Sequence, residues 1–222
     1  HESLRDLLEV SNSALDIGRS KQRRETRFLT PAEDFQGVQD GRSIPLDHGL
    51  QRADLRVLLD DALAVFTDRF WIEQDGLVAD TWDRAFTARD PYRGVNANMH
   101  TVEALLAAHD VTGDAVWLDR ATSIVTRVVH EFARGNGYRL PEHYDTQWHQ
   151  LLDYNRDHPA DKFRPYGVTI GHLLEWARLA LHLRTAHDDA APGWLLADAV
   201  ALFDRAVADG WEVDGAPGFV YT

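Results

Sequence analysis

Residues 113–132 have the sequence GDAVWLDRATSIVTRVVHEF, and this stretch decides the fold class. Its apolar residues recur every three or four positions, which is the period of an α-helix that buries one face. Gly113 and Asp114 suit the end of one helix and the start of the next. The segment Gly135-Asn136-Gly137 ends the helix. The same period predicts five further helices, at residues 4–15, 55–66, 96–112, 168–186 and 192–209.

A weak internal repeat connects three of these helices. The segments Asp61–Phe66, Arg120–Val125 and Asp198–Phe203 occupy similar places, with spacings of 59 and 78 residues. Recurring helix pairs of this kind stack into either a superhelix or a closed α/α toroid. Amphipathic helices at ordinary spacing also produce such similarity by chance, so the pattern favours helix hairpins without choosing between the two architectures.

Non-helical segments separate the predicted helices. Residues 25–45 are polar and rich in Gly and Pro, which predicts a long loop. Short strand-like pieces flank the turn at Asp75-Gly76, and two more close the chain at residues 211–213 and 218–221. The segment 138–166 is long and aromatic, with many His, Asp and Pro residues. A loop of this length inside a helical domain is usually functional.

Composition narrows the class of partner. The chain has 222 residues, of which 36 are acidic and 23 are Lys or Arg, so the formal net charge is −13. This balance disfavours binding to nucleic acids and to anionic membranes. No apolar run approaches the roughly 20 residues of a membrane span, and the N-terminus lacks a signal-peptide pattern. With no cysteine for disulfides or thiolate metal sites, a cytoplasmic protein is expected.

The first candidate site is centred on His172. A glutamate follows three residues later, at Glu175, and this spacing places both side chains on one helical face, where the carboxylate can hold the imidazole in one tautomer. Trp176 follows and offers an indole face suited to packing on a sugar ring. Arg164 precedes the helix and could bind sugar hydroxyls or an enediolate oxygen. The alternative is an amphipathic helix that carries one surface ion pair.

The second candidate site repeats this arrangement near residue 100. Asn96 and His100 are four residues apart, and Glu103 follows beside them, which gives an amide, an imidazole and a carboxylate on one face. Such a face can bind a polyol, although Asn96 or Asn98 could simply cap the helix. Arg93 lies at the same helix start, where its charge opposes the helix dipole.

Two further interpretations stay open. Residues 141–156 interleave aromatic side chains with carboxylates and amides, which is typical of either a sugar-binding loop or a buried aromatic loop. The two pairs of histidine and glutamate could also bind a metal, but the usual order in di-iron bundles is Glu before His, and no third carboxylate helix is evident. No metal is therefore expected.

Three ordered motifs resemble a known family. They are YRGVNANMH at 92–100, EHYD at 142–145, and FRPYG at 163–167 leading to GHLLEW at 171–176. Together they resemble the N-acylglucosamine 2-epimerase superfamily, and within it the branch of mannose isomerases and sulfoquinovose isomerases. The resemblance implies one α/α-barrel domain over residues 1–222, in which 1–45 is an atypical N-terminal segment and 46–222 is the family-like part.

The resemblance also implies an all-α fold, an (α/α)6 barrel of which this chain supplies about half. It implies aldose–ketose isomerisation through a cis-enediol, without cofactor or metal, on a monosaccharide, with homo-oligomers as a further option. The alternatives are a sugar 2-epimerase and an inactive carbohydrate-binding remnant. The family's second essential histidine, in a later Arg-x-x-His-type motif, is expected beyond Thr222, so the chain is expected to be a fragment, a partially ordered chain or a divergent member with an incomplete barrel.

The resemblance and the residue patterns together give two sets of site residues. The candidate catalytic residues are His172, Glu175 and His100. The candidate sugar-binding residues are Asn96, Arg164, Arg93, Glu103 and Trp176.

Overall fold

The computed structural model describes Glu2–Ser3 and residues 52–222, with side chains from Asp54 onward. The predicted helix at 4–15 and the predicted loop at 25–45 lie outside the described residues. The described part is mainly helical, as predicted. Its α-helices are α1 (Arg52–Val65), α2 (Val95–Thr112), α3 (Ala115–Val125), α4 (Ile170–Ala186) and α5 (Trp194–Gly210).

The short strands number six within the described residues. They are β1 (Glu2–Ser3), β2 (Trp71–Ile72), β3 (Leu77–Val78), β4 (Thr81–Trp82), β5 (Arg93–Gly94) and β6 (His143–Tyr144). All pairings are antiparallel, with β1 on β4, β2 on β3 and β5 on β6. The predicted strand-like pieces on either side of Asp75-Gly76 are therefore confirmed. At the chain end, Trp211 and Phe219 form an isolated bridge.

The chain divides into two compact units, Asp6–Val65 and His1–Arg5 with Phe66–Thr222. In the first unit, the described element is α1, which lies where the sequence predicts a helix. The second unit holds the other elements that the structure describes and every candidate site residue. The prediction of a single domain over residues 1–222 stays a prediction.

The internal repeat has a structural counterpart. A π-helical segment, Phe66–Phe70, begins at the last residue of the first copy, and a longer one, Thr126–Ala133, begins directly after the second copy. Their starts are 60 residues apart (126 − 66), close to the repeat spacing of 59. In the third copy, α5 remains α-helical throughout. The sequence pattern does not predict these π-helical segments. The extra residue in each π turn changes the hydrogen-bond register, but it does not require different residue types.

The junction between α2 and α3 follows the sequence prediction. Gly113 ends α2 with a φ of 71°, a left-handed conformation that glycine adopts without a Cβ penalty. The carboxylate of Asp114 accepts a hydrogen bond from the Val116 N–H and so caps α3.

Helix α2 begins at Val95, one residue before the predicted Asn96, but the predicted asparagine cap is wrong. Gly94 is the N-cap, and no side chain caps the helix. Asn98 is fully buried, and its amide accepts from the Val78 N–H and donates to the Gly94 carbonyl. The asparagine therefore joins β3 to the segment before α2, a tertiary role that a helix-capping rule does not anticipate.

The hairpin of α4 and α5 buries one apolar stripe from each helix. Leu173, Leu183, Leu195 and Leu202 are each at most 1% exposed. Burying a leucine side chain contributes about 1.5–3 kcal/mol, so this hairpin is a main source of stability. The outer face of α5 carries a second apolar stripe, which is about half exposed and consists of Leu196, Val200 and Phe203.

Strand β6 positions the amino-terminal ends of α2 and α4. It pairs with β5, so Arg93 lies opposite Tyr144 and Gly94 opposite His143. Because β5 runs directly into α2, this pairing fixes the start of that helix. The chain end also contacts α4, since the Ile170 N–H donates to the Tyr221 carbonyl. Among the described residues, no helix has the length and hydropathy required to cross a membrane.

Candidate active site

Glu142 connects the starts of α2 and α4. Its main-chain carbonyl accepts from the Val95 N–H at 3.1 Å, and its own N–H donates to the Gly167 carbonyl at 3.0 Å. Its side-chain oxygen Oε1 accepts from the N–H of Thr169, the N-cap of α4, at 3.2 Å. The carboxylate is only 2% exposed, so it is held by the protein and not by solvent.

His172 lies in the first turn of α4 and donates to this carboxylate. The distance from its Nδ1 to Oε1 of Glu142 is 2.9 Å. A carboxylate oxygen accepts hydrogen bonds, so the proton of the neutral imidazole lies on Nδ1 and the lone pair on Nε2. The side chain is 22% exposed. The imidazole is therefore fixed in one tautomer and still has access to solvent.

The environment of His172 favours its protonated form. Burial acts to lower the pKa, but the hydrogen bond and charge of Glu142 and the charge of Glu175 outweigh burial, so the pKa is raised above its ordinary value of 6.5. An imidazole of this kind can accept and return a proton near neutral pH.

The predicted pairing of His172 with Glu175 requires a correction. Glu175 is exposed, and Glu142 occupies the position of the hydrogen-bond partner instead. The i, i+3 spacing brings the two residues close enough for their charges to interact, as the raised pKa of His172 reflects. The imidazole is turned toward the buried carboxylate because the hydrogen bond to Glu142 is shielded from water there.

The guanidinium of Arg164 packs against aromatic and acidic side chains. Its guanidinium carbon is 3.9 Å from the centre of the Tyr92 ring, and NH1 donates to the Tyr154 hydroxyl at 2.8 Å. The carboxylates of Asp90 and Asp80 are 3.4 and 3.5 Å from NH2. Burial raises the pKa of Asp80, and the charge of Arg164 opposes this shift. The side chain of Arg164 remains 31% exposed, so it can contact a ligand.

His143 connects Tyr92, on which Arg164 packs, to the loop that carries Arg164. Its Nε2 lies 2.5 Å from the Pro165 carbonyl and its Nδ1 lies 2.7 Å from the Tyr92 hydroxyl. The carbonyl can only accept, so Nε2 carries the proton and Nδ1 accepts from Tyr92. Burial lowers the pKa of His143, which is consistent with a neutral ring. The ring of Tyr154 packs on it at 4.6 Å.

The second candidate face lies on the half-exposed side of α2. His100 Nδ1 donates to Glu103 at 2.9 Å, as the spacing predicts, and the other oxygen of Glu103 accepts from Arg178 of α4. The hydrogen bond from His100 outweighs partial burial and lowers the pKa of Glu103. Asn96 is half-buried, and its amide makes no hydrogen bond to any residue that the structure describes. Its donor and acceptor are thus available to a ligand.

Arg93 and Trp176 lie inside the protein. Arg93 is 2% exposed, and its NH1 donates to the carbonyls of Asp90 and Tyr92. Trp176 has no exposed surface. Neither side chain presents a surface to a sugar, so we place both in the packing that supports the site. The indole of Trp176 points into the core because the apolar stripe of α4 includes this position, together with Leu173 and Leu183.

The loop at 141–156 divides into two parts. Glu142 and His143 belong to the site, whereas Trp148 is buried and its indole N–H donates to Asp75 at 3.1 Å. Asp145 and His149 form an exposed pair. The buried-loop interpretation is thus confirmed for Glu142, His143 and Trp148, whereas the sugar-binding interpretation stays a prediction. Among the residues that the structure describes, no group of three or more His, Asp or Glu side chains is arranged to hold a metal ion.

Four residues of the site were not among the site residues predicted from the sequence. They are Glu142, His143, Tyr92 and Tyr154. All four lie in stretches that the sequence already marked as unusual. Nothing in the sequence pairs residue 142 with residue 172, because that contact depends on how β6 packs against the start of α4.

The described residues supply the groups that proton transfer beside a cation requires. His172 offers a basic nitrogen whose protonated form is stabilised by Glu142. Arg164 offers a fixed positive charge, and Asn96 and His100 offer donors and acceptors. A polyhydroxylated substrate that develops negative charge on an oxygen matches this combination.

Comparison with known proteins identifies the family to which the chain is similar. The family model described as N-acylglucosamine 2-epimerase (GlcNAc 2-epimerase) matches residues 46–222. A protein named D-mannose isomerase, from Thermobifida fusca, is 56% identical over 171 residues, which cover 77% of this chain and 42% of that protein. A second D-mannose isomerase, from Pseudomonas cannabina pv. alisalensis, is 51% identical over 174 residues, with the same coverage of 77% and 42%.

A solved structure supports the fold. The crystal structure of a D-mannose isomerase matches with a TM-score of 0.70 and 33% sequence identity, and the match covers 77% of this chain and 43% of that chain. The chain thus spans about two fifths of the length of the curated relatives it matches. The architecture is accordingly that of part of an (α/α)6 barrel.

Proposed function

Because the chain belongs to the N-acylglucosamine 2-epimerase family, we propose that it is part of an aldose–ketose isomerase that interconverts mannose and fructose. The high identity to two proteins named D-mannose isomerase supports this substrate pair over others. The whole protein acts on a monosaccharide without a cofactor in this proposal.

The observation that carries the proposal is the arrangement of His172. Its Nδ1 is engaged by the buried Glu142, so the basic atom is Nε2 and the ring cannot rotate without breaking that bond. Isomerisation of an aldose needs one group that removes a proton from C2 and delivers it to C1. A partly exposed imidazole with a stabilised protonated form meets this need.

The reaction follows from these groups. After the ring opens, Nε2 of His172 takes the C2 proton of mannose, and the electron pair of that C–H bond forms the C1–C2 double bond of a cis-enediol. The former aldehyde oxygen, on which negative charge develops, takes the proton of the C2 hydroxyl and becomes the C1 hydroxyl. His172 then returns its proton to C1, and the C2 oxygen forms the ketone of fructose. No electrons enter or leave, so no redox cofactor is required.

The remaining candidates stabilise and orient the sugar in this proposal. Arg164 faces the enediolate oxygen, where a fixed cation stabilises charge that develops in the transition state. Asn96 and His100 bind hydroxyl groups, and His100 is a second candidate for proton transfer because its Nδ1 also donates to a carboxylate. Glu103 holds His100, and Glu175 adds negative charge near His172. A cytoplasmic location and association into homo-oligomers remain part of the proposal.

Incubation of the protein with mannose in heavy water tests this function. An isomerase places deuterium at C1 of the fructose it forms, whereas a 2-epimerase places deuterium at C2 of glucose. Both products are resolved by NMR of the sugar. Fructose with deuterium at C1 is the expected result, and it should form in the presence of a metal chelator.

Two results would contradict the proposal. Deuterated glucose without fructose would indicate the epimerase, and saturable binding of mannose without any exchange would indicate a carbohydrate-binding remnant. Mannose binding is measured by calorimetry on the same preparation, so that lack of turnover is separated from lack of binding.

A further inference from the structure

We infer that Glu142 is the positioning residue that sets the tautomer and the proton affinity of His172. The catalytic role of Glu142 rests on the proposed function. The hydrogen-bond geometry around Glu142 does not depend on that function. A group of this kind determines which nitrogen of the imidazole faces the substrate. The residue assigned by spacing alone, Glu175, is exposed and does not hold the ring.

Glu142 holds several groups at once. Its Oε1 accepts from the Thr169 N–H and from Nδ1 of His172, while its backbone bonds to Val95 and Gly167. The carboxylate is thus attached both to the N-cap of α4 and to the strand that fixes the start of α2. Any rotation of the carboxylate would leave the Thr169 N–H and the Nδ1 proton without this acceptor, so its orientation is well defined.

The carboxylate of Glu142 is also buried. At 2% exposure the carboxylate is shielded from water, and a charge–imidazole hydrogen bond is stronger there than at the surface. The negative charge also reaches the neighbouring Tyr144, whose phenol pKa is raised by burial first and by Glu142 second. Glu175 lacks both the burial and the hydrogen bond, so its charge acts on His172 only through space.

The proton cycle of the proposed reaction requires such a fixed partner for His172. His172 must gain a proton as the C2–H bond breaks and lose it as the C1–H bond forms. A fixed carboxylate on Nδ1 stabilises the imidazolium and keeps Nε2 aimed in one direction in both states. The position of Glu142 in the fold therefore links the backbone at the start of both helices to the reacting nitrogen.

The tautomer of His172 tests the inference without any sugar present. Nitrogen-15 NMR of the imidazole rings distinguishes a protonated from a bare nitrogen, and the spectrum of His172→Asn identifies the signal among the 11 histidines. The expected result is that neutral His172 carries its proton on Nδ1. A proton on Nε2 with a bare Nδ1 would overturn the inference.

Two matched variants then separate the carboxylates. In Glu142→Gln the amide oxygen can still accept from Thr169 and His172, so the main change is loss of the charge. The pKa of His172 should fall in this variant, and it should fall less in Glu175→Gln. The exposed Glu212→Gln serves as a control for the removal of one negative charge. An unchanged pKa in Glu142→Gln, or a larger fall in Glu175→Gln, would overturn the inference.

Turnover provides the link to the proposed function. In the wild-type exchange assay with mannose, Glu142→Gln should lower kcat by at least about tenfold, as expected when an acid–base group is detuned, with a smaller change in KM. The acid limb of the kcat/KM profile of this variant should move to lower pH, in parallel with the fall in the pKa of His172. If the wild type shows no exchange, the proposed function fails while the tautomer and pKa measurements still decide the role of Glu142.

Discussion

The hydroxyl of Tyr92 lies 2.7 Å from Nδ1 of His143, and this bond joins two segments that are 51 residues apart in sequence. The phenol also supports the guanidinium of Arg164, which lies over its ring at 3.9 Å. Burial raises the pKa of Tyr92, so its proton stays in the bond to His143. One tyrosine thereby fixes both the strand before α2 and the cation of the site.

Substitution of His172 tests its role in proton transfer. We expect His172→Gln to reduce deuterium exchange into the sugar by about 10²–10⁴-fold, because a general acid–base group contributes a factor of this size. Circular dichroism should remain that of the wild type. His182, an exposed histidine on the same helix, provides the matched control His182→Gln, which should keep wild-type exchange. Equal exchange in both variants would remove His172 from the mechanism.

The raised pKa of His172 predicts a pH dependence of stability. The folded state binds this proton more tightly than the unfolded state does, so the contribution is fully present below about pH 6.5 and is lost as the pH rises through the higher folded-state pKa. The difference in free energy of unfolding between wild type and His172→Gln should therefore be larger at about pH 6 than at about pH 8. Urea denaturation at both pH values measures it. A difference that grows with pH would show that the sign is wrong.

Catalytic pH dependence follows from the same group. As a base, His172 must be unprotonated at Nε2, so the acid limb of kcat/KM should have its midpoint above 6.5, on the side to which Glu142 and Glu175 shift the pKa. The rate of mannose consumption at a series of pH values measures this limb. A midpoint below 6.5 would indicate that burial outweighs the two carboxylates.

Gly94 should tolerate no side chain. Its φ of −127° is extended, so an alanine fits the backbone, but the added Cβ would lie 2.8 Å from the Tyr92 hydroxyl and 3.1 Å from the Asp80 carboxylate. We expect Gly94→Ala to lower the free energy of unfolding by about 1–3 kcal/mol, as overpacking does. The clash should be smaller when Tyr92 is replaced by Phe, and a double-mutant cycle measures this coupling.

A second glycine provides the control for that experiment. Gly135 lies in the helix end after residue 133 and has open space where a Cβ would be. Gly135→Ala should be neutral or stabilise the protein by up to about 1 kcal/mol. If both substitutions cost the same, the contact with Tyr92 does not explain the cost at Gly94.

Arg164 should not be replaceable by lysine. A single ammonium cannot lie over the Tyr92 ring while it also bonds the Tyr154 hydroxyl and pairs with Asp90. We expect Arg164→Lys to raise KM for mannose about tenfold, which corresponds to about 1.4 kcal/mol of lost binding. The exposed Arg184→Lys on α4 is the matched control and should leave KM unchanged. A wild-type KM in Arg164→Lys would place Arg164 in a structural role only.

Much of the fold was predictable because helices are local structures. The apolar period located α1 to α5, and the pair Gly113 and Asp114 marked the boundary between α2 and α3. The capping of α2 was not predictable, since the amide of Asn98 bonds to Val78, 20 residues away, and does not cap the helix. The π-helical turns also escaped detection, because their distinction from α-helix lies in the hydrogen-bond register and not in residue type.

The sequence by itself determined which residue types the site contains and which helices carry them, since His172, His100 and Asn96 lie in the early turns of α2 and α4. Only the tertiary structure decided which carboxylate holds His172, and which side chains face the core. An i, i+3 spacing identifies neighbours on one helix. Glu142 lies 30 residues before His172 in the chain, and it contacts the imidazole because the segment at β6 packs close to the start of α4. Hydrogen bonds between distant segments depend on three-dimensional proximity and burial, and neither is encoded in the period of a single helix.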